Sequence, residues 1–177
     1  MTTYYDKKPF KIDQINLPGK LSLGMSFCPG HCGRKDLGLR DLNKDLKTVI
    51  NWGATYFLTL MKYEEFEKIN LSNFFNVISD MPFLFYHFPI TDCSVPNQKI
   101  DIRIKKFEKN YLLKFKKHEK IFIHCRGGYG RTGVVVSRFL INLGYEPKEA
   151  INMVRKTRPG AIENLKQENY VLNFNSQ

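Results

Sequence analysis

Residues 120–140 read KIFIHCRGGYGRTGVVVSRFL. The β-forming run at 120–124 predicts a buried strand, and the glycine-rich stretch at 125–130 predicts a loop. Residues 132–143 predict a helix that ends at Gly144. A strand that leads through a short loop directly into a helix is typical of folds with a mostly parallel sheet and helices on its faces. This stretch therefore favours an α/β fold.

The rest of the chain alternates between strands and helices in the same way. Short β-forming runs predict strands at 12–17, 20–25, 55–60 and 83–88. Apolar periodicity and end signals, such as Asp41 as an N-cap and Gly53 as a stop, predict helices at 42–52, 63–68, 71–80, 99–120, 147–157 and 162–174. The 177 residues suffice for one core. We expect a single domain over 1–177, with N-terminal strands at 1–24 and the core at 25–177.

The loop has the composition of a binding site for a tetrahedral anion. Its three glycines permit backbone conformations that other residues avoid, so successive N–H groups can turn inward around an anion. The helix that follows presents N–H groups without intrahelical partners and the positive end of its dipole. Arg131, at the far end, can grip two phosphate oxygens at once. The predicted phosphate-binding residues are Arg126, Gly127, Gly128, Tyr129 and Gly130.

Cys125 lies at the base of this predicted phosphate site. Inward N–H groups, a helix N-terminus and a nearby arginine all favour the thiolate, the nucleophilic form of cysteine. A thiolate beneath a bound phosphate can attack the phosphorus atom. The Thr132 hydroxyl can then donate to the departing sulfur, and we expect His124 to fix the loop rather than to act as a base. A buried structural cysteine is the alternative, but it accounts for neither the arginines nor the glycines.

The pattern His-Cys-x5-Arg-Thr-Gly at 124–133 resembles the signature of the cysteine-dependent protein tyrosine and dual-specificity phosphatases. Further segments, in order over 25–174, are similar to the cyclin-dependent kinase-associated phosphatase group: Phe27-Cys28-Pro29-Gly30, Asp45-Leu46-Lys47, Pro89-Ile90-Thr91-Asp92, Pro96 and 160–170. The resemblance implies a dual-specificity phosphatase-like fold and a phospho-cysteine intermediate. It also implies that the substrate is phosphotyrosine, phosphoserine or phosphothreonine in a protein.

Two polar residues gain a role from this resemblance. The leaving oxygen must be protonated as the phosphorus–oxygen bond breaks, and Asp92, on the loop after the predicted strand 83–88, matches the family's general acid. A turn or helix-cap aspartate is the alternative for Asp92, and Asp80 and Asp101 are poorer candidates for the acid. Gln167 matches a glutamine that positions the hydrolytic water in some members. Its alternative is an exposed polar residue on a helix.

The charge balance bears on the partner. The chain has 28 Lys and Arg against 17 Asp and Glu, a net charge of +11, which favours anionic partners. The predicted helix 99–120 carries nine basic and three acidic residues. Such a run is ordinarily a solvated face, and the alternative is a docking site for acidic protein or anionic lipid. The basic residue Arg126 inside the loop resembles the lipid-phosphatase branch of the superfamily. The kinase-associated group has an uncharged residue at that position.

The sequence therefore predicts a phosphoprotein phosphatase that needs no metal or cofactor, because Arg131 and the loop amides neutralise the phosphate. One alternative is a phosphatase for phosphoinositides or another polyanion, such as the triphosphate end of RNA. Another is a module that binds phosphate groups without hydrolysing them. We expect a phosphorylated protein as partner, with a phosphoinositide or acidic membrane surface as the alternative. We also expect a monomer and no nucleic acid.

The last predictions concern the location of the protein and the state of its other cysteines. The sequence has no apolar run of the ~18 residues that a membrane span needs and no signal-peptide core near its start. We therefore expect a cytoplasmic protein with reduced thiols. Cys28, His31 and Cys32 lack a second ligand pair at zinc spacing, so no metal is predicted. A reversible disulfide between Cys93 and Cys125 under oxidation is a further hypothesis.

Overall fold

The predicted strands form one five-stranded sheet. The computed structural model describes residues 9–31, 40–114 and 118–175. Its strands are β1 (Asp13–Asn16), β2 (Leu21–Ser26), β3 (Tyr56–Thr59), β4 (Leu84–His87) and β5 (Glu119–His124). They lie in the order β1-β2-β5-β3-β4, and only the pair β1 and β2 among them is antiparallel. The predicted α/β fold with a mostly parallel sheet is confirmed.

The N-terminal strands belong to the same sheet as the rest of the chain. β2 crosses the predicted boundary between residues 24 and 25. It pairs with the central strand β5 from Leu21, opposite Glu119, to Ser26, opposite His124. The apolar residues of these strands are part of the same hydrophobic core as those of β3 and β5.

The carboxyl ends of the four parallel strands meet at one edge of the sheet. Ser26 and Thr59 both lie opposite His124, the last residue of β5. Thr59 also lies opposite His87, the last residue of β4. Ligand sites in open parallel sheets occur at this edge, where the loops that follow the strands converge. The loop that begins at Cys125 therefore leaves from the middle of the edge.

Seven α-helices accompany the sheet in the described part of the chain. They are α1 (Leu42–Trp52), α2 (Tyr63–Lys68), α3 (Phe74–Ser79), α4 (Gln98–Asn110), α5 (Gly130–Asn142), α6 (Pro147–Thr157) and α7 (Leu165–Leu172). Asp41 caps α1 as predicted, because its side chain accepts a hydrogen bond from Lys44 N at 3.1 Å. Gly53 ends the helix in the left-handed conformation that glycine favours. Within the described ranges, no helix is long and apolar enough to cross a membrane.

Two helices begin later than the sequence predicts. α7 begins at Leu165 rather than at 162, because Ile162 has a φ of 60°, which a right-handed helix excludes. Asn164, two residues later, is the N-cap of the helix. α3 begins at Phe74 rather than at 71, because Leu71 opens a turn before the helix.

The predicted helix 99–120 is too long. α4 ends at Asn110, a 3-10 turn follows at Leu112–Lys114, and β5 has already begun at Glu119. The apolar face nevertheless continues past the helix end, since the Tyr111 ring lies 5.6 Å from that of Tyr56 on β3. Periodicity therefore persists although the chain has turned towards the sheet. Phe115, the last residue of the predicted apolar face, lies outside the described residues.

The helix α5 is buried along almost its whole length. Every residue from Gly130 to Ile141 is buried, because the helix lies against β2 and β5 and also contacts α6 and α7. Its position brings two charged side chains, Arg131 and Arg138, into the interior. A buried guanidinium is costly unless anions or carbonyl oxygens accept its hydrogen bonds. Both positions therefore require partners from neighbouring elements.

Candidate active site

The loop between β5 and α5 bends around the Cys125 sulfur. Gly128 N donates a hydrogen bond to Cys125 Sγ at 3.2 Å, so at least this N–H group turns inward. Gly128 has a φ of 74°, and a Cβ there would lie 2.1 Å from the Ser26 carbonyl oxygen. Only glycine meets both conditions. The close approach of the end of β2 thus shapes the loop.

Neighbouring segments hold the loop by its carbonyl oxygens. Arg126 O accepts a hydrogen bond from Cys28 N at 3.1 Å. Gly127 O accepts one from the Arg158 guanidinium at 2.9 Å. Because these carbonyl groups bond to their surroundings, the N–H groups on the opposite side of the same peptide planes can face an anion above Cys125.

Arg131 lies at the end of the loop and is almost fully buried. Its guanidinium donates two hydrogen bonds to Glu65, at 2.6 and 2.9 Å, and one to the Ile90 carbonyl oxygen at 3.1 Å. Asp92 Oδ1 lies 2.8 Å from its Nη2 atom. Burial alone would lower the pKa of Arg131, but the hydrogen bonds that it donates to Glu65 and the charges of Cys125, Glu65 and Asp92 outweigh burial and raise the pKa. Arg131 is therefore a fixed positive charge.

Glu65 was not predicted from the sequence. It lies on α2, shortly after the carboxyl end of β3, and its Oε2 atom also accepts a hydrogen bond from Lys62 N at 2.8 Å. The second bond fixes the carboxylate at the start of the helix, so it is presented to Arg131 in a defined orientation. The sequence feature that could have pointed to Glu65 is an acidic segment directly after a predicted strand of the sheet. Glu64 and Glu67 belong to the same segment, so this feature does not single out Glu65.

Asp92 lies in the loop after β4, and 57% of its side chain is exposed. Besides its contact with Arg131, Oδ1 accepts a hydrogen bond from Cys93 N at 3.1 Å, which is typical of a turn aspartate. The structure thus brings Asp92 to Arg131 at the end of the Cys125 loop, and it also shows the turn contact with Cys93 N that the alternative prediction expects. Asp80 is exposed at the end of α3, and Asp101 pairs with a different arginine of α5.

Gln167 is fully buried, so the alternative prediction of an exposed helix residue is wrong. Its Oε1 atom accepts a hydrogen bond from Glu163 N at 2.9 Å, and Nε2 donates to Ser94 O at 3.3 Å. A Cβ atom at Gly130 would come within 2.7 Å of Gln167 Nε2. The amide therefore lies between the loop that begins at Cys125 and the segment that carries Asp92.

His124 and Thr132 flank the loop in the interior. Burial lowers the pKa of His124 to about 3, and the nearby charge of Arg131 acts in the same direction. The ring is therefore neutral, and its Nδ1 atom lies 3.2 Å from the Cys125 carbonyl oxygen. The Thr132 hydroxyl is buried without a hydrogen-bond partner in the described residues. The Cys125 sulfur accepts a hydrogen bond from Gly128 N instead. Donation from Thr132 to the departing sulfur stays a prediction.

The two remaining loop side chains face different surroundings. The Tyr129 ring is 38% exposed and lies 4.4 Å from the guanidinium carbon of Arg158. Arg126 is partly buried, and its positive charge, after burial, contributes to a lowered pKa of His31. Within the described ranges, no carboxylate pairs with Arg126. Its charge remains available to an anionic group of a ligand.

The cysteines differ in exposure. Cys28 is fully buried, and burial together with the charge of Cys125 raises its pKa well above the usual value, so it remains a thiol. Cys93 is exposed, and neither it nor Cys28 forms a disulfide in the described part of the chain. Cys32 lies outside the described residues. The side chains that are described include no cluster of three or more His, Cys, Asp or Glu that could hold a metal ion.

The chain is similar to known phosphatases in sequence and in fold. The family model described as "Swiss Army Knife protein, DSP-PTPase phosphatase domain" matches residues 39–171. Human cyclin-dependent kinase inhibitor 3 is 30% identical over 155 residues, which cover 86% of this chain and 71% of the relative. A probable protein tyrosine phosphatase type IVA A of Dictyostelium discoideum is 35% identical over 100 residues, covering 56% of this chain and 55% of the relative.

Solved structures agree with this assignment. The crystal structure of kinase associated phosphatase with its catalytic cysteine replaced by serine superposes with a TM-score of 0.76 at 26% identity, and the match covers 93% of each chain. A protein tyrosine phosphatase from Leishmania major shares the fold, with a TM-score of 0.66 at 15% identity over 95% of this chain and 99% of the other. The chain belongs to the dual-specificity and protein tyrosine phosphatase family and is a cysteine-dependent protein phosphatase.

Proposed function

We propose that Cys125 is the nucleophile of this phosphatase. The observation that carries the proposal is the position of its sulfur, which accepts a hydrogen bond from Gly128 N at 3.2 Å inside a loop that ends at the buried Arg131. The sulfur attacks the phosphorus atom of a phosphorylated side chain, and the bond from phosphorus to the leaving oxygen breaks. The product of this step is a phospho-cysteine.

Arg131 and the loop amides stabilise the transition state in this proposal. Charge develops on the phosphoryl oxygens as the bond order to phosphorus changes, and preorganised donors that point at these oxygens lower the barrier. Glu65 holds the guanidinium from one side with a largely buried carboxylate, whereas Asp92 contacts it with a largely exposed one. The phosphate of the substrate takes the place of Asp92 on Arg131, while Glu65 keeps the guanidinium in position.

Asp92, released from Arg131, acts as the general acid. Its proton goes to the leaving oxygen of the substrate, so that a neutral hydroxyl departs. In the second step a water molecule attacks the phosphorus of the phospho-cysteine, and Asp92 accepts a proton from that water. The buried amide of Gln167, close to Gly130 and Ser94, is placed to orient the water. Phosphate leaves, and the Cys125 thiolate is restored.

The substrate we propose is a phosphorylated protein. Support comes from relatives named as a cyclin-dependent kinase inhibitor and as a kinase associated phosphatase, which makes a phosphorylated kinase of the cyclin-dependent class the first substrate to examine. The unpaired charge of Arg126 would suit a second anionic group near the phosphate. The relatives do not favour a lipid or an RNA end as the substrate. The cytoplasmic location and the monomeric state stay predictions.

The test compares wild type with Cys125→Ser on p-nitrophenyl phosphate and on phosphopeptides. We expect turnover by wild type and none by Cys125→Ser, because a serine hydroxyl is far less nucleophilic than a thiolate. Asp92→Ala should trap a phosphorylated protein in a pull-down, since the leaving group is no longer protonated. A wild-type rate equal to that of Cys125→Ser would refute the proposal. Faster turnover of phosphoinositides or triphosphate-ended RNA than of phosphopeptides would refute the proposed substrate class.

A further inference from the structure

We propose that Arg158 is a positioning residue for the nucleophile loop and acts through the peptide group that joins Gly127 to Gly128. Its Nη2 atom donates a hydrogen bond to Gly127 O at 2.9 Å. The N–H of the same peptide group belongs to Gly128 and donates to Cys125 Sγ at 3.2 Å. A trans peptide group is planar, with its C=O and N–H pointing in opposite directions. A bond that fixes the oxygen therefore also fixes the direction of the N–H.

Arg158 is itself firmly held. Its Nη1 atom lies 2.6 Å from Asp13 Oδ2 on β1, and only 8% and 12% of the two side chains are exposed. The exposed ring of Tyr129 covers the guanidinium at 4.4 Å. The backbone of Arg158 also continues α6, since its N–H donates to Val154 O at 2.8 Å. One arginine thus connects the loop to both the first strand of the sheet and a helix.

The loop needs this anchor because glycine flanks the peptide group on both sides. Glycine resists rotation of the adjoining peptide less than any other residue. A peptide that turned over would point its carbonyl oxygen at the Cys125 sulfur and would repel both a thiolate and a phosphate. The guanidinium also polarises the peptide group, which strengthens its N–H as a donor. Arg158 therefore favours the thiolate without touching the substrate.

The readout is the rate at which iodoacetamide alkylates Cys125, followed by peptide mapping so that the other cysteines do not interfere. In Arg158→Met we expect alkylation at neutral pH to slow by about tenfold and to recover as the pH is raised, because the thiolate is less favoured. The kcat/KM for p-nitrophenyl phosphate should fall by about tenfold as well. In Arg158→Lys, where an ammonium group can still donate to Gly127 O, both quantities should return to within about threefold of wild type.

Val154→Ala is the matched control for lost stability, because Val154 is a fully buried residue of the same helix α6 without a polar group. We expect it to lower the melting temperature and to leave Cys125 alkylation in the folded protein unchanged. The proposal would be overturned if Arg158→Met had a lower melting temperature but the wild-type rate of Cys125 alkylation. It would also be overturned if Val154→Ala slowed Cys125 alkylation as much as Arg158→Met does. The inference rests on Cys125 as the nucleophile, but alkylation requires no turnover. An inactive wild type would therefore refute the proposed function while alkylation still decides the role of Arg158.

Discussion

Arg131 and Arg138 lie about two turns apart on α5 and are both almost completely buried, yet their partners differ in exposure. The carboxylate side chains that pair with Arg131 are 16% exposed for Glu65 and 57% for Asp92. Those that pair with Arg138 are 4% exposed for Glu108 and 24% for Asp101. One arginine reaches towards solvent through its partners, whereas the other is enclosed.

The polar partners of the enclosed Arg138 come from two neighbouring helices, α4 and α7. Arg138 donates to Glu108 of α4 at 2.6 and 2.8 Å and to the Tyr170 hydroxyl of α7 at 2.9 Å. It also pairs with Asp101 and lies 4.8 Å from the centroid of the Phe174 ring. Burial alone would lower the pKa of Arg138, but its hydrogen bonds and ion pairs with Glu108 and Asp101 raise it far above the usual range.

The difference shows how one chemical group serves two purposes on one helix. A guanidinium whose partners are all on packed helices is a structural element, because exchanging a partner would unpack the core. A guanidinium with one exposed, hydrated partner can exchange that partner for a ligand anion at little cost. The exposure of Asp92, rather than the charge of Arg131, therefore distinguishes the proposed phosphate-binding site from the structural site at Arg138. The comparison predicts that substitution of Arg131 lowers mainly the activity, whereas substitution of Arg138 lowers mainly the stability.

The largest effect should follow from Arg131→Lys. Lysine keeps the charge but cannot donate to two phosphoryl oxygens in the planar geometry of arginine, so kcat for p-nitrophenyl phosphate should fall about 10³-fold, or about 4 kcal/mol in transition-state stabilisation. Urea unfolding should change much less, because lysine keeps a positive charge beside the largely buried Glu65, and Asp92 is largely exposed to water. A fall of less than about tenfold would contradict the role assigned to Arg131.

Arg138→Met should have the opposite profile. The substitution leaves the Glu108 carboxylate buried without its partner, so the free energy of unfolding in urea should fall by about 3 kcal/mol. The kcat of the folded protein should stay within about threefold of wild type. The double variant Arg138→Met/Glu108→Leu removes the stranded charge and should recover much of the lost stability. If the single variant lost activity to the same extent as Arg131→Lys, the division between the two arginines would be wrong.

The sequence predicts where the loop between β5 and α5 lies, but it does not predict the side chains that hold this loop and Arg131 in place. The sulfur, the glycines and Arg131 fall in one continuous stretch, and the physics of anion binding by consecutive N–H groups makes such a stretch recognisable. Glu65 reaches Arg131 only because β3 lies beside β5 in the sheet, which no local pattern reveals. Arg158 was not predicted either, because its partners Asp13 and Gly127 come from distant parts of the chain.

Helix boundaries show a related limit. The apolar face that begins in α4 continues into the chain beyond it, so periodicity alone extended the predicted helix to 120. The end at Asn110 depends on the path that the chain must take to enter β5 in the centre of the sheet. The burial of Gln167 likewise depends on a distant segment, since its amide donates to Ser94 O in the loop after β4. Local sequence reports what a residue can do, and the tertiary fold decides whether it is in place to do so.

Asp92→Asn and Asp101→Asn test the comparison from the carboxylate side with a matched pair of substitutions. Asp92→Asn removes the proposed proton donor, so kcat for a phosphotyrosine peptide should fall by about 10²-fold. The loss should be smaller for p-nitrophenyl phosphate, whose leaving group needs less protonation. The kcat values of wild type and Asp92→Asn on the two substrates provide the check.

Asp101→Asn should leave kcat unchanged and lower the free energy of unfolding by about 1 kcal/mol, because Asp101 is partly hydrated and Arg138 retains Glu108. The two aspartates thus receive the same chemical change beside two arginines of one helix. If Asp101→Asn lowered kcat as strongly as Asp92→Asn, partner exposure would not separate the proposed catalytic arginine from the structural one. A separation of about 10²-fold in kcat would instead assign proton donation to the exposed carboxylate.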